Sequence, residues 1–320
     1  MKVAIIGAGA VGATLAQRVL EGSLADVVLV DILKNLAQGK ALDLLDASPI
    51  VGHERNIVGT DNYEEIKSSD VVVITAGLPR KPGMTRNELV AKNVAIMKDV
   101  AGNVKKYAPS SIVIVVTNPL DTMTYLAYKL TGFVKQKVMG MAGVLDGSRF
   151  IYMIADELNV PRSSVETCIL GSHGDTMVPL ISKTLVNGKP VTDLIKKDRL
   201  DAIVKRTCDR GAEIVSLLGS GSAYYSPSAG VFKMLNAILK DTKETLVASA
   251  YIEGEYGLKG LYIGVPCKIG KSGIEKILEL DLSKEEKASF LRSAEAIKSL
   301  NRDCFAPPKS GGARNDNFSI

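Results

Sequence analysis

The stretch Lys2-Val3-Ala4-Ile5-Ile6-Gly7-Ala8-Gly9-Ala10-Val11-Gly12 decides the fold. Residues 2–6 form a short apolar run of the kind a buried strand needs, ending in a Gly-x-Gly-x-x-Gly pattern that opens a helical spacing reaching Leu20. Each glycine meets a separate demand: Gly7 makes the tight turn, Gly9 lets the backbone approach a pyrophosphate, and Gly12 lets helix and strand pack closely. Free N–H groups and the dipole at the helix start then attract phosphate. A glycine fingerprint alone is weak. Here residues 27–30 form a second apolar run ending in Asp31, about twenty residues past the last glycine, where an acid accepts hydrogen bonds from an adenosine ribose. An anion there repels a 2′-phosphate, so Gly7, Ala8, Gly9, Ala10, Val11, Gly12 and Asp31 together predict an NAD cradle rather than an NADP one. Residues 3–16 following Lys2 also imitate a signal peptide, but three glycines and no cleavage context favour strand and helix.

The alternation continues outward. Helical spacing over residues 33–45 precedes a strand near residues 56–59, and Val71-Val72-Val73-Ile74-Thr75 is an unbroken β-branched run of the buried parallel type. A helix over residues 86–107, a strand over 112–117, a helix over 121–130 and a strand over 137–140 complete six strands interleaved with helices. That order predicts a Rossmann-type doubly wound parallel sheet, in which ligands bind past the carboxyl ends of the strands.

Beyond Val160-Pro161 the pattern changes. Residues 178–195 predict antiparallel strand around an Asn187-Gly188 turn, followed by helices over 198–218 and 226–239, strands over 245–251 and 261–269, and a last helix over 283–300. The fold class is therefore α/β: a Rossmann-type domain over residues 1–144, a mixed α+β substrate domain over 145–304 that carries catalysis, and a loose tail over 305–320.

Bulk properties exclude several functions. A chain of 320 residues with 46% hydrophobic content supports two real cores, and a net charge of +5 spread without a Lys/Arg block argues against nucleic acid as partner. No stretch approaches the roughly 20 apolar residues of a membrane span. The cysteines, Cys168, Cys208, Cys267 and Cys304, lie far apart without a C-x-x-C pair, which speaks against zinc, any other metal site, and disulfides. A cytoplasmic protein with reduced thiols is expected.

Chemistry concentrates after the strands. Cys168-Ile169-Leu170-Gly171-Ser172-His173-Gly174-Asp175 carries one of only two histidines, delivered by an apolar run into a glycine bend, and His173 is the candidate proton carrier. The other, His53, lies among charges and turn formers and is expected on the surface. Leu78-Pro79-Arg80-Lys81-Pro82-Gly83-Met84-Thr85-Arg86 is either a solvated connector or, being longer than the usual βα link at the cofactor end of the sheet, a lid. Asn118 in Asn118-Pro119-Leu120-Asp121 offers a fixed amide, and its bond to Pro119 is a candidate cis peptide. Asp146 and Arg149 are three apart at a helix start, which fits a cap with an ion pair as well as two groups facing one cleft. Two further matches are set aside: Gly264 to Ser272 has the wrong glycine spacing for a phosphate loop, and Tyr125-x-x-x-Lys129 lacks the glycine pattern of short-chain dehydrogenases.

Taken together the glycine loop, Asp31, the Pro-Arg-Lys-Pro-Gly-Met-Thr-Arg loop, Thr117-Asn118-Pro119, Asp146-Gly147-Ser148-Arg149 and Gly171-Ser172-His173-Gly174-Asp175 resemble the lactate and malate dehydrogenase family, in its order and spacing, over residues 1–300. The resemblance implies roles. His173 would exchange the hydroxyl proton, Asp146 would hold its other ring nitrogen, and Arg149 would grip the substrate carboxylate. Arg86 would descend with the lid to polarise the carbonyl, Asn118 would orient substrate and cofactor, and Asn93 with Val116, Thr117 and Asn118 would add cofactor contacts. Arg80 replaces the neutral glutamine of lactate-type members, implying a dicarboxylate substrate: enclosed beside a monocarboxylate it would be an unmatched charge costing on the order of 3–5 kcal/mol. The implied assembly is a homo-oligomer, dimer or tetramer. A lactate or broad 2-hydroxyacid dehydrogenase and a non-catalytic NAD sensor are the alternatives.

Overall fold

The computed structural model describes residues 1–78 and 86–305. The first half runs β1 (Lys2–Ile6), α1 (Ala10–Glu21), β2 (Asp26–Val30), α2 (Lys34–Val51), β3 (Ile57–Thr60), β4 (Val71–Ile74), α3 (Arg86–Tyr107), β5 (Ile112–Val115), α4 (Leu120–Thr131) and β6 (Val138–Met141). Its six strands pair in parallel in the order β3-β2-β1-β4-β5-β6, so the crossover changes direction between β1 and β4. Every residue of β4 and β5 is buried, as expected of strands covered by helices on both faces. Each such Val or Ile contributes roughly 1.5–3 kcal/mol over leaving it exposed. On one face Leu15, Ala16, Val19 and Leu20 of α1 pack over the sheet; on the other sit Val94, Met97 and Val100 of α3 with Leu126 of α4.

The second half runs α5 (Gly143–Leu158), β7 (Val165–Glu166), β8 (Ile169–Gly171), β9 (Met177–Pro179), β10 (Leu185–Val186), β11 (Lys189–Pro190), α6 (Lys197–Leu218), α7 (Tyr225–Leu239), β12 (Glu244–Glu253), β13 (Lys259–Gly270), β14 (Gly273–Ile277) and α8 (Lys284–Phe305). Its long hairpin extends the first sheet: β12 lies antiparallel to β6, pairing Ser249 with Gly140, and β13, β8 and β9 follow. The two halves thus share one mixed sheet. Arg18 of α1 adds a bond from Nε to Ser228 Oγ of α7, at 3.1 Å.

Four expectations need correction. Residues 178–195 are not continuous strand: β10 and β11 pair around Asn187-Gly188 for only two residues each, flanked by 3-10 turns at Ile181–Lys183 and Val191–Asp193. Pro179 and Pro190 cannot donate to a ladder and limit it. The helix expected over 33–45 continues to Val51 because Pro49 falls near its end, where one lost bond is tolerated. The last helix runs on to Phe305, and β14 was not anticipated. His53 is 6% exposed rather than a surface residue: the chain turns at left-handed Gly52 and the ring tucks in, its Nδ1 accepting the Arg55 N–H at 3.2 Å. No helix among the described residues is long and apolar enough to cross a membrane.

Candidate active site

At the end of β1 the glycines divide their work by sterics. Gly7 has φ +107°, and a Cβ there would lie 2.7 Å from both the Ala76 nitrogen and Thr75 Oγ1; at Gly12 it would stand 1.9 Å from the Gly7 carbonyl oxygen. Those two positions close the loop against β4 and α1. A Cβ on Gly9 would meet nothing within 4 Å, so that residue borders open space. Gly9 is also the N-cap of α1 and no side chain caps the helix, which leaves early N–H groups for an incoming anion. Asp31, one residue past β2, accepts the Ala8 N–H at 2.7 Å and the Leu33 N–H at 2.9 Å. A carboxylate has about four acceptor sites, so it can brace the loop and still receive a ribose hydroxyl. Ala8 is fully buried, and its carbonyl accepts Lys40 Nζ at 2.7 Å. Gly7 and Ala8 therefore shape the loop, whereas Gly9, Ala10, Val11 and Gly12 line a cleft.

That cleft holds about 340 Å³, within the range of small-ligand pockets. Its opposite wall is made by Val116, Thr117 and Asn118 beyond β5 and by His173 beyond β8. The Asn118-Pro119 peptide is cis. Asn93 of α3, expected as a cofactor contact, borders the cleft but is 1% exposed and already engaged. Its Oδ1 accepts the Leu78 N–H at 2.8 Å and its Nδ2 donates to the Asn118 carbonyl at 2.8 Å, so it clamps the end of the β4 segment to the Asn118 loop. An open groove, uncapped helix N-terminus and adjoining carboxylate fit a dinucleotide.

His173 is placed by glycine bends and by two bonds to its own loop. Gly171 and Gly174 have φ +92° and +134°. Ser293 Oγ of α8 accepts the Ser172 N–H at 2.8 Å, and Asp121 Oδ2 accepts the His173 N–H at 3.0 Å. The ring then meets α5: His173 Nδ1 lies 3.0 Å from Asp146 Oδ2, and Arg149 Nη1 lies 3.6 Å from Asp146 Oδ1. Asp146 is 1% exposed and pairs with both Arg149 and His173, so the helix ion pair is present, and of these three residues only His173 lines the cleft. Burial pushes the His173 imidazole down, but Asp146, by charge and hydrogen bond, and then Asp121 outweigh it and leave its pKa raised. Burial lowers Arg149, against the pull of Asp146, and its Nε is buried with no hydrogen-bond partner. A desolvated guanidinium with an unused donor is suited to a carboxylate. Bound to Asp146 through Nδ1, the imidazole presents Nε2 for proton exchange at the cleft.

Asp31 and Arg149 do not line the cleft: Asp31 braces the glycine loop through the Ala8 N–H, and Arg149 pairs with Asp146, which holds His173. Arg80 and the side chain of Arg86 lie outside the described residues. Four contributors escaped the sequence reading: the Gly221 to Tyr224 turn between α6 and α7, which lines the cleft; Ser293, which holds the His173 loop; Asp121; and Ser249, whose hydroxyl donates to Asp121 Oδ1 at 2.6 Å. The available signal was Asp121 itself, an acid followed by the apolar face of Met123, Leu126 and Ala127 in α4. Nothing local distinguishes Ser249 within its strand.

The family profile for the lactate/malate dehydrogenase NAD binding domain matches residues 1–140, and that for the lactate/malate dehydrogenase alpha/beta C-terminal domain matches residues 143–306. A malate dehydrogenase of Geobacillus kaustophilus is 52% identical over 303 residues, covering 94% of this chain and 97% of that protein. One from Methanosarcina barkeri is 52% identical over 297 residues, covering 93% and 97%. Among solved structures, Cryptosporidium parvum malate dehydrogenase superposes with TM-score 0.92 at 44% identity, covering 95% of this chain and 98% of that one. The lactate dehydrogenase of the same organism, complexed with lactic acid and nicotinamide adenine dinucleotide, gives 0.93 at 42% identity, covering 96% and 98%. With both halves matched and the glycine loop and His173 lining one cleft, the chain belongs to the lactate/malate dehydrogenase family.

Proposed function

We propose that this chain is an NAD-dependent malate dehydrogenase, interconverting (S)-malate and NAD+ with oxaloacetate and NADH. The observation that carries this reading is 52% identity over 94% of the chain to a relative named malate dehydrogenase, together with the 3.0 Å His173–Asp146 contact at the cleft. Bound NAD supplies the hydride acceptor; the chain's residues do the rest. Gly9, Ala10, Val11 and Gly12 receive the pyrophosphate on the α1 N-terminus, with Gly7 and Ala8 shaping that loop, and Asp31 takes the ribose hydroxyls. Asn93 holds the Val116, Thr117 and Asn118 wall in place, and Asn118 orients the substrate. Arg149 binds the C1 carboxylate. As hydride leaves C2, Nε2 of His173 takes the hydroxyl proton, and Asp146 fixes the tautomer and balances the imidazolium. In reverse the same nitrogen returns the proton. Arg86, at the start of α3, polarises the carbonyl, and Arg80, in the loop outside the described residues, pairs with the second carboxylate.

In this reading residues 1–144 bind NAD and residues 145–304 hold the substrate; of the tail expected over 305–320, Phe305 ends α8 and the rest lies outside the described residues. The enzyme works in the cytoplasm, in the tricarboxylic acid cycle, as a homo-oligomer, dimer or tetramer. Structural likeness is near equal for the malate and lactate enzymes of Cryptosporidium parvum, so substrate choice rests on Arg80 and on the names of the sequence relatives. The test is kcat/KM for oxaloacetate against pyruvate with NADH: a preference of a hundredfold or more for oxaloacetate is expected, and preference for pyruvate would make it a lactate enzyme. Arg80→Gln should raise KM for oxaloacetate steeply and leave NADH affinity nearly unchanged.

A further inference from the structure

The roles above leave one buried acid unused. Asp121 stands in the first turn of α4, 5% exposed, and its hydrogen bonds come from a main-chain N–H and a hydroxyl. Taking His173 as the proton carrier, we propose that Asp121 is a positioning residue for that transfer: its carboxylate fastens the His173 main chain to α4 and β12, and holds a second negative charge beside the imidazole.

Geometry supports both parts. Oδ2 accepts the His173 N–H at 3.0 Å and Oδ1 accepts the Ser249 hydroxyl at 2.6 Å, so one carboxylate joins segments 52 and 128 residues away in sequence. Ser249 is fully buried where β12 meets β6, a rigid anchor. Asn118 lies one turn before Asp121, so the turn that carries the cleft amide also carries the group gripping the histidine loop. A purely mechanical tie would be met more cheaply by an amide, because an ionised acid so deeply buried is costly. Burial does push Asp121 up to about 6, against the two donated hydrogen bonds and the His173 charge, which keep it from rising further.

The charges facing the imidazole explain what that cost achieves. His173 comes from the turn after β8, Asp146 and Arg149 from α5, and neutral Ser249 from β12. Among the described residues, with a neutral imidazole, two carboxylates and one guanidinium leave a net charge of −1, and protonation brings that group to zero. Asp146 is the larger influence favouring the proton on His173, Arg149 opposes it, and Asp121 adds a second carboxylate on the favouring side.

The histidine count allows a direct test, because His53 lies outside this cluster and serves as an internal reference. Imidazole NMR titration of the full chain, wild type against Asp121→Asn, should show the His173 pKa falling by about one unit while His53 stays put. In kinetics the same variant should lose about tenfold in kcat for oxaloacetate, keep NADH affinity within about twofold, and shift the pH limb of reduction downward by the NMR amount. A His173 titration that is unchanged or raised overturns the proposal. If the variant does not fold, Ser249→Ala keeps the carboxylate but frees it from β12; a several-fold kcat loss with unaltered NADH affinity is expected, and wild-type kcat overturns the positioning role. The titration needs no turnover, so a chain inactive toward oxaloacetate would defeat the dehydrogenase reading without deciding this one.

Discussion

The two ends of the cleft recognise their ligands by opposite means. At the glycine loop the proposed recognition is by backbone N–H groups, a helix dipole and the absence of side chains: Gly12 has no room for a Cβ, and Gly9 borders open space. At the histidine end it comes from side chains drawn out of water, with Asp146 at 1% exposure and Asp121 at 5%. The first end is governed by sterics over one continuous dozen residues. The second is governed by charge among residues from α4, α5, the turn after β8 and β12, each worth little without the others. Substitutions at the first end should therefore change binding, and at the second the chemical step.

The sharpest way to break this division is Asp146→Ala. Losing the partner of both His173 and Arg149 should lower kcat by roughly a hundredfold or more, with NADH affinity preserved; parallel stopped-flow turnover and NADH fluorescence titration would decide it. Next comes Gly12→Ala, where a Cβ 1.9 Å from the Gly7 oxygen forces the loop to move. NADH affinity should fall roughly tenfold or more and the melting temperature should drop. A smaller effect is expected from pH. In the proposed mechanism reduction of oxaloacetate needs protonated His173, whose raised pKa keeps it charged beyond its usual range. The rate limb for reduction should accordingly fall only above about pH 6.5, and malate oxidation should rise through the same region. Last is Gly9→Ala. Its φ of −66° suits any residue, so the melting temperature should hold while NADH affinity weakens several-fold; a stability loss equal to that of Gly12→Ala would erase the contrast between the two glycines.

The same division governs what was legible in the sequence. The cradle is local: strand, glycines, helix and Asp31 lie within the first 31 residues, and their periods are visible without tertiary structure. The parallel order followed from unbroken apolar runs such as Val71 to Ile74. The pairing of β12 with β6 was not legible, because antiparallel contact across more than a hundred residues leaves no trace in either strand. His53 misled for a related reason: charged neighbours suggest exposure, but the turn at Gly52 sets where the ring goes. Asp146 and Arg149 carried a helical spacing that fitted two readings until His173 was placed beside them. Asp121 was in plain sight, and only the fold brings Ser249 and His173 to it.

The central claim is that a partly buried imidazole braced by Asp146 moves the proton at one end of the cleft while the glycine loop holds NAD at the other. Single-turnover oxidation of NADH by oxaloacetate in His173→Asn, measured alongside NADH affinity, tests it most directly. The account predicts a loss of roughly a thousandfold in rate with affinity within about twofold of wild type. Turnover surviving the substitution would contradict it.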